Sequence, residues 1–86
     1  MKIDFSQVPI RDIEGNAVVV DISKELGNMM YLQAQDIAVA DLGHDIYHRK
    51  EVNLTREQAQ TVRMYVEQGF KAIVKRELLP LLDKAE

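Results

Sequence analysis

The sequence contains no cysteine and no tryptophan, and its aromatic residues are three tyrosines and two phenylalanines. Without cysteine the chain has no disulfide, thiolate zinc site or iron–sulfur cluster, and it has no cysteine nucleophile. Because aromatic residues are few, the sequence predicts a core built mainly from aliphatic side chains and methionine.

Long apolar runs are also missing. No stretch approaches the roughly 20 apolar residues that a membrane-spanning helix needs. Residues 1–5 (MKIDF) lack the apolar segment of a secretory signal peptide. We therefore expect a cytoplasmic protein that does not associate with a membrane.

A clustered basic face is absent as well. The net charge is −3 over 86 residues. Residues 1–43 carry three Lys or Arg and seven Asp or Glu, whereas residues 44–86 carry eight and seven. An acidic first half and scattered basic residues in the second half do not favour nucleic-acid binding, which requires a concentrated positive surface. We predict no nucleic-acid partner.

The length and composition are those of a single globular domain spanning residues 1–86. The chain is 47% hydrophobic and 29% charged, which is ordinary for a folded protein. A chain of this size has enough apolar material for one core and not for two.

The first 22 residues have the pattern of β-structure. Residues 8–13 and 17–22 are rich in β-branched side chains and flank Gly15 and Asn16, which tolerate a positive φ angle; this predicts a hairpin. Residues 2–5 alternate and predict a short first strand. Because residues 17–20 (AVVV) are apolar on both faces, we predict that this strand is central or covered on both sides.

Helical patterns follow the hairpin. A first helix is predicted from Ser23, as N-cap, to about residue 35, with Gly27 permitting close approach of another backbone. A second is predicted from the cap Asp36 to about residue 49. Residues 50–54 are an extended link that could pair with the hairpin as a third strand.

The third helical region has the clearest start in the chain. Thr55 and Gln58 have the spacing of a capping box. Residues 56–84 fit either one bent helix or two helices separated near Gly69, and Pro80 is expected to kink the last turns or to start a new one.

Together these patterns predict an α+β fold in which an N-terminal hairpin, with a possible third strand, packs against three to four helices. The residues expected in the shared core are Val18 or Val20, Leu26, Leu42, Ile46, Val62 and Val66.

The one constellation that resembles catalytic chemistry is His44-Asp45-Ile46-Tyr47-His48. Two histidines four residues apart on a helix can direct both imidazoles at one metal ion, as in the H-E-x-x-H motif, and Asp41 could be a third ligand. However, the helical pattern turns Asp41, His44 and His48 away from the apolar face. We therefore predict an exposed patch without a role in folding or catalysis, and assign no metal, cofactor or catalytic residue.

Other catalytic motifs are absent from the sequence. It contains no phosphate-binding loop, no dinucleotide fingerprint and no nucleophile elbow. We therefore predict that the protein is not an enzyme.

Five short segments occur in a characteristic order: residues 12–16 (DIEGN), 26–27 (LG), 46–47 (IY), 52–55 (VNLT) and 78–82 (LLPLL). In this order the chain resembles small proteins, without assigned function, that are encoded in phage and prophage tail regions. The resemblance covers most of the chain. It implies a non-enzymatic assembly or chaperone-like protein that acts by contact with another protein, and it implies no catalytic residues.

Two other functions compete with this interpretation. The acidic first half and helical C-terminus would also suit a regulatory or antitoxin-type binding module, and His44 and His48 would be the centre of a small metal-dependent enzyme. The leucines of residues 78–82 exceed what one helix face can bury. We therefore expect a homo-oligomer (a homodimer) or a hetero-complex in the cell, with the final helix contributing the contact.

Overall fold

The computed structural model describes residues 1–84, which form four strands and four helices. In chain order the elements are β1 (Lys2–Asp4), β2 (Val8–Arg11), β3 (Ala17–Val20), α1 (Ser23–Gln33), α2 (Ile37–Arg49), β4 (Glu51–Asn53), α3 (Arg56–Gly69) and α4 (Ala72–Asp83). The predicted α+β class and the N-terminal hairpin are confirmed.

The strands form two separate antiparallel sheets of two strands each in residues 1–84. β2 and β3 form the hairpin, whereas β1 pairs with β4, with Ile3 opposite Val52. Beyond the strand ends, the N–H of Phe5 donates to the carbonyl oxygen of Lys50 at 2.8 Å. The predicted third strand therefore exists, but its expected pairing with the hairpin is wrong. It pairs with β1 because Ile3 and Val52 then both enter the core.

The hairpin turn is built from local hydrogen bonds. The N–H of Gly15 donates to the carbonyl oxygen of Asp12 at 3.0 Å, and the N–H of Asp12 donates to the carbonyl oxygen of Asn16 at 3.1 Å. Gly15 has φ = 87°, which is the geometry of a three-residue hairpin loop with glycine at its left-handed position. Gly15 is thus confirmed as the special residue of the turn, whereas Asn16 does not share its positive φ.

The prediction that residues 17–20 form a covered strand is wrong. Val18 and Val19 are 54% and 62% exposed, and Val20 is half-buried against the core. The helix nearest the hairpin is α4, which contacts β2. β3 therefore lies on the outer side of the hairpin, and only the Val20 end of it reaches the core.

The remaining predicted core residues are confirmed as buried. Leu26, Ile46, Val62 and Val66 have no exposed surface, and Leu42 has 8%. They pack with the other buried side chains of the core, which are Ile3, Phe5, Val8, Ile22, Met30, Val52, Leu54, Ala59, Tyr65, Leu78 and Leu82.

The helix starts follow local side-chain chemistry. Asp36 caps α2 by accepting from the N–H of Ala38 at 2.8 Å, and Thr55 and Gln58 form the complete capping box of α3. Ser23 is not the N-cap of α1. It is the first helical residue, and its N–H and hydroxyl both donate to Asp21.

The C-terminal region consists of two helices rather than one bent helix. α3 ends at Gly69 and α4 begins at Ala72 and continues through Pro80. Arg63 joins the two helices, because its Nε donates to Asp83 at 2.6 Å.

The leucines of α4 are divided between the core and the surface. Leu78 and Leu82 are fully buried within the chain, whereas Leu79 is half-buried and Leu81 is exposed. The part of α4 available to another molecule is therefore smaller than the leucine content suggests. Within residues 1–84, no helix combines the length and the apolar character required to cross a membrane.

Candidate binding surface between the first two helices

Helices α1 and α2 are in backbone contact. Gly27 of α1 lies against the carbonyl of Gly43 and the backbone of Tyr47, and Gly43 lies against the carbonyl of Gly27. The predicted close approach at Gly27 is confirmed. Because glycine has no side chain, the two helices approach closely at Gly27 and Gly43. Residues of α1 and α2 that flank this contact therefore lie close together on the surface.

Four aromatic rings lie beside this contact, and we refer to Tyr31, His44, Tyr47 and His48 as the ring cluster. The ring centroids of His44 and His48 are 4.4 Å apart, those of Tyr47 and His48 are 5.0 Å apart, and Tyr31 lies 6.3 Å from His44. Three of the rings come from one side of α2, at helical spacing, and Tyr31 approaches from α1.

The ring cluster surrounds a small depression in the surface. Its volume is about 160 Å³, and its lining consists of Gly27, Asn28, Tyr31, His44, Tyr47 and His48. Tyr31 is 54% exposed, and both histidines are exposed. The predicted exposure of Asp41, His44 and His48 is confirmed.

The carboxylates expected beside the histidines are elsewhere. Asp41 does not line the depression, and Asp45 lies in a different groove with Arg49 and Val52. Among residues 1–84, no group of three His, Cys, Asp or Glu side chains is placed to hold a metal ion. The histidine pair by itself supplies two of the four ligands that a tetrahedral zinc site takes.

Sequence reasoning identified the histidines but missed their aromatic neighbours. Tyr31 lies on another helix, so no spacing rule joins it to His44. The available signal was the pair Gly27 and Gly43, because small residues on consecutive helices allow the helices to approach closely.

A second exposed apolar region lies on the hairpin, whose residues do not belong to the ring cluster. Ile13, Val18 and Val19 are all exposed there. Ile13 also borders a groove with Arg11, Ile73 and Arg76, so this region extends from the turn to the start of α4.

Comparison of the chain with protein-family models, with curated proteins and with solved structures finds no match in any of the three. The resemblance to phage tail-region proteins therefore stays a prediction.

Proposed function

We propose that this protein acts by binding another protein through the ring cluster, without catalysing a reaction, in an assembly or chaperone-like role of the phage or mobile-element type. The observation that carries the proposal is the half-exposed Tyr31 at the rim of a depression lined by three further rings. Tyrosine supplies a large, rigid contact area at low cost in conformational entropy, and it is enriched at protein interfaces.

The size of the depression favours a protein partner over a small molecule. Pockets for drug-sized ligands usually enclose about 300–1,000 Å³, whereas this depression has about 160 Å³. That volume suits one inserted side chain of a partner, with the surrounding rings covering its edges. Aromatic anchors of this type often provide most of the free energy of an interface.

Two further parts of the proposal concern location and assembly. We place the protein in the cytoplasm, and we propose that it self-associates. Exposed apolar side chains on the hairpin and Leu81 on α4 are compatible with contacts between copies.

The experiment that tests the proposal compares two single substitutions. Tyr31→Ser removes a ring of the cluster, and Met64→Ser changes a side chain on α3 that is similarly exposed, at 49%. Each protein is immobilised and exposed to an extract of cells that carry the gene, and retained proteins are identified by mass spectrometry. Circular dichroism of both variants confirms that they are folded.

We expect one protein to be retained by the unmodified chain and by the Met64→Ser variant. Its affinity for the Tyr31→Ser variant should be at least about tenfold weaker, since loss of an aromatic anchor costs about 1.4 kcal/mol or more. Equal retention by both variants would refute the role of the ring cluster. The neighbouring genes separate the two binding functions: tail genes support an assembly role, and an adjacent toxin gene supports an antitoxin-type module.

A further inference from the structure

The β3 strand has an edge that carries no strand within residues 1–84. β3 pairs with β2 alone, and the other sheet consists of β1 and β4. Such an edge presents backbone N–H and C=O groups that can pair with a strand from another molecule.

The hydrogen bonds of the hairpin show which backbone groups face this edge. Asp12 and Asn16 form a hydrogen-bonded pair, and such pairs alternate along an antiparallel ladder. In the observed register the next hydrogen-bonded pairs are Ile10 with Val18 and Val8 with Val20. The N–H and C=O groups of Ala17 and Val19 therefore point away from β2, toward the open edge.

The two edges of the hairpin differ in their suitability for pairing. On the β2 side, Pro9 lies opposite Val19 and has no N–H to donate, and α4 contacts this strand. On the β3 side the sequence AVVV contains no proline, lysine or other charge. Natural proteins place proline, lysine and other charged residues at an exposed edge to prevent pairing with another strand. The hairpin is protected on one edge and open on the other.

We propose that β3 pairs with β3 of a second copy of this chain, in antiparallel orientation about a two-fold axis at Val19, so that two hairpins form one four-stranded sheet. This assembly uses a different surface from the ring cluster, and it rests on the self-association proposed above, for which it names the strand and the register. A two-fold interface brings the same strand from each copy together, which suits an edge that is self-complementary.

Charge selects the register. β3 ends at Val20; if the paired strand continues by one residue, Val19 on the axis places Asp21 of each copy opposite Ala17 of the other. Within one copy, Arg11 lies opposite Ala17, and the small side chain of alanine leaves the arginine a path across the strand to that aspartate. In the proposed dimer this axis brings Arg11 of each copy near Asp21 of the other, whose carboxylate also accepts from the N–H and hydroxyl of Ser23 in its own chain. Placing Val18 on the axis instead also satisfies the backbone, but it puts Gly15 opposite Asp21 and loses this alignment.

The second copy docks on the hairpin rather than on α4, because Leu78 and Leu82 are already used inside the chain. A strand of four residues buries less than the roughly 800 Å² per partner of a standard interface. We therefore expect a reversible dimer with a dissociation constant in the micromolar range or weaker, and the measurements are made at concentrations that populate it.

Cysteine cross-linking tests the register directly, since the chain has no cysteine of its own. With Val19 on the axis, Val18 of one copy and Val20 of the other form a non-hydrogen-bonded pair. Their Cα atoms are then about 4.5 Å apart, within the range that a disulfide bridges. A mixture of a tagged Val18→Cys chain and an untagged Val20→Cys chain is oxidised under mild conditions. A Val18→Cys chain alone and an Ile13→Cys chain alone, the latter exposed at the turn, serve as controls.

We expect the mixed disulfide to form at least tenfold faster than either control dimer. A Val18→Cys homodimer that forms faster than the mixed disulfide would overturn the proposed axis. Cross-linking of all samples at the rate of the Ile13→Cys control would overturn pairing at the β3 edge. Circular dichroism establishes that each variant is folded before oxidation.

A second measurement needs no covalent bond. Val19→Lys places a charge on the edge, and Ile13→Lys places the same charge on the exposed turn. In analytical ultracentrifugation we expect Val19→Lys to weaken self-association at least tenfold and Ile13→Lys to leave it within twofold of the original. A monomer at all concentrations for the unmodified chain would refute the proposal, and this result would leave the ring cluster and its partner untouched.

Discussion

Gly27 and Gly43 lie backbone to backbone across the first two helices. A Cβ added to Gly27 would lie 2.6 Å from the carbonyl oxygen of Gly43, and one added to Gly43 would lie 2.8 Å from the carbonyl oxygen of Gly27. Both distances are shorter than the van der Waals contact distance between a carbon and an oxygen atom. Neither helix can therefore carry a side chain here without moving away from the other. The position of the ring cluster depends on this contact.

Gly27→Ala is therefore expected to destabilise the protein. Alanine is favoured over glycine in a helix by about 1 kcal/mol, but overpacking a close contact costs about 1–3 kcal/mol. Since the obstacle is backbone, we expect the second effect to dominate and the free energy of unfolding in urea to fall by about 1 kcal/mol. Asn28→Ala, at the next and exposed position of α1, is the control that gains helix propensity without a clash. An increase in stability for Gly27→Ala would contradict the close contact.

Leu42→Ala should cost about 2–5 kcal/mol, as expected for a large core side chain replaced by a small one. Leu42 is 8% exposed, whereas Leu32 at the end of α1 is 74% exposed. Leu32→Ala is the matched control and should change the free energy of unfolding by less than about 0.5 kcal/mol. Denaturant titrations of the two variants make the comparison. A loss below half a kcal/mol for Leu42→Ala would show that this side chain is not part of the core.

Acidification should weaken the hairpin turn. The N–H of Asn16, its side-chain amide and the N–H groups of Glu14 and Gly15 lower the pKa of Asp12 below its usual value. An aspartate whose pKa is lower in the folded state stabilises that state above the unfolded value of about 3.9, and this stabilisation is lost as pH falls through the folded pKa. Thermal melts of the unmodified protein and of Asp12→Asn should therefore differ at neutral pH and converge in strong acid. A difference independent of pH would show that the charge of Asp12 does not contribute.

Replacing both His44 and His48 by alanine should leave the melting temperature nearly unchanged. Both side chains are exposed, and their rings contact tyrosines at the surface rather than core residues. The unmodified protein and the double variant also test whether the two histidines bind a metal ion. Both are purified without an affinity tag and analysed by elemental mass spectrometry. Stoichiometric zinc, iron or manganese in the unmodified protein, lost in the double variant, would contradict the expectation that the pair has no metal role.

The features that were predictable from the sequence are those formed by residues close together in the chain. The Asp36 cap, the Thr55–Gln58 capping box and the Gly15 turn each depend on hydrogen bonds between residues no more than four apart. Such interactions are determined by side-chain chemistry and local backbone geometry, and they do not depend on what packs against the element. The exposure of the histidines was predictable for a similar reason, because helical spacing separates the two faces of α2.

The features decided by tertiary structure involve partners that are distant in the chain. An apolar pattern shows that a strand or helix face can be buried, but it does not show which element covers it. Residues 17–20 are apolar on both faces, and nevertheless residues 17–19 remain exposed, because α4 contacts β2 and β4 pairs with β1. Tyr31 joins His44 only because Gly27 and Gly43 allow α1 and α2 to touch. The sequence by itself determined the Asp36 cap, the capping box at Thr55 and the turn at Gly15, since those are short-range hydrogen-bonding choices. Which surfaces are buried and which remain available for binding was decided by the competition among all elements for one small core.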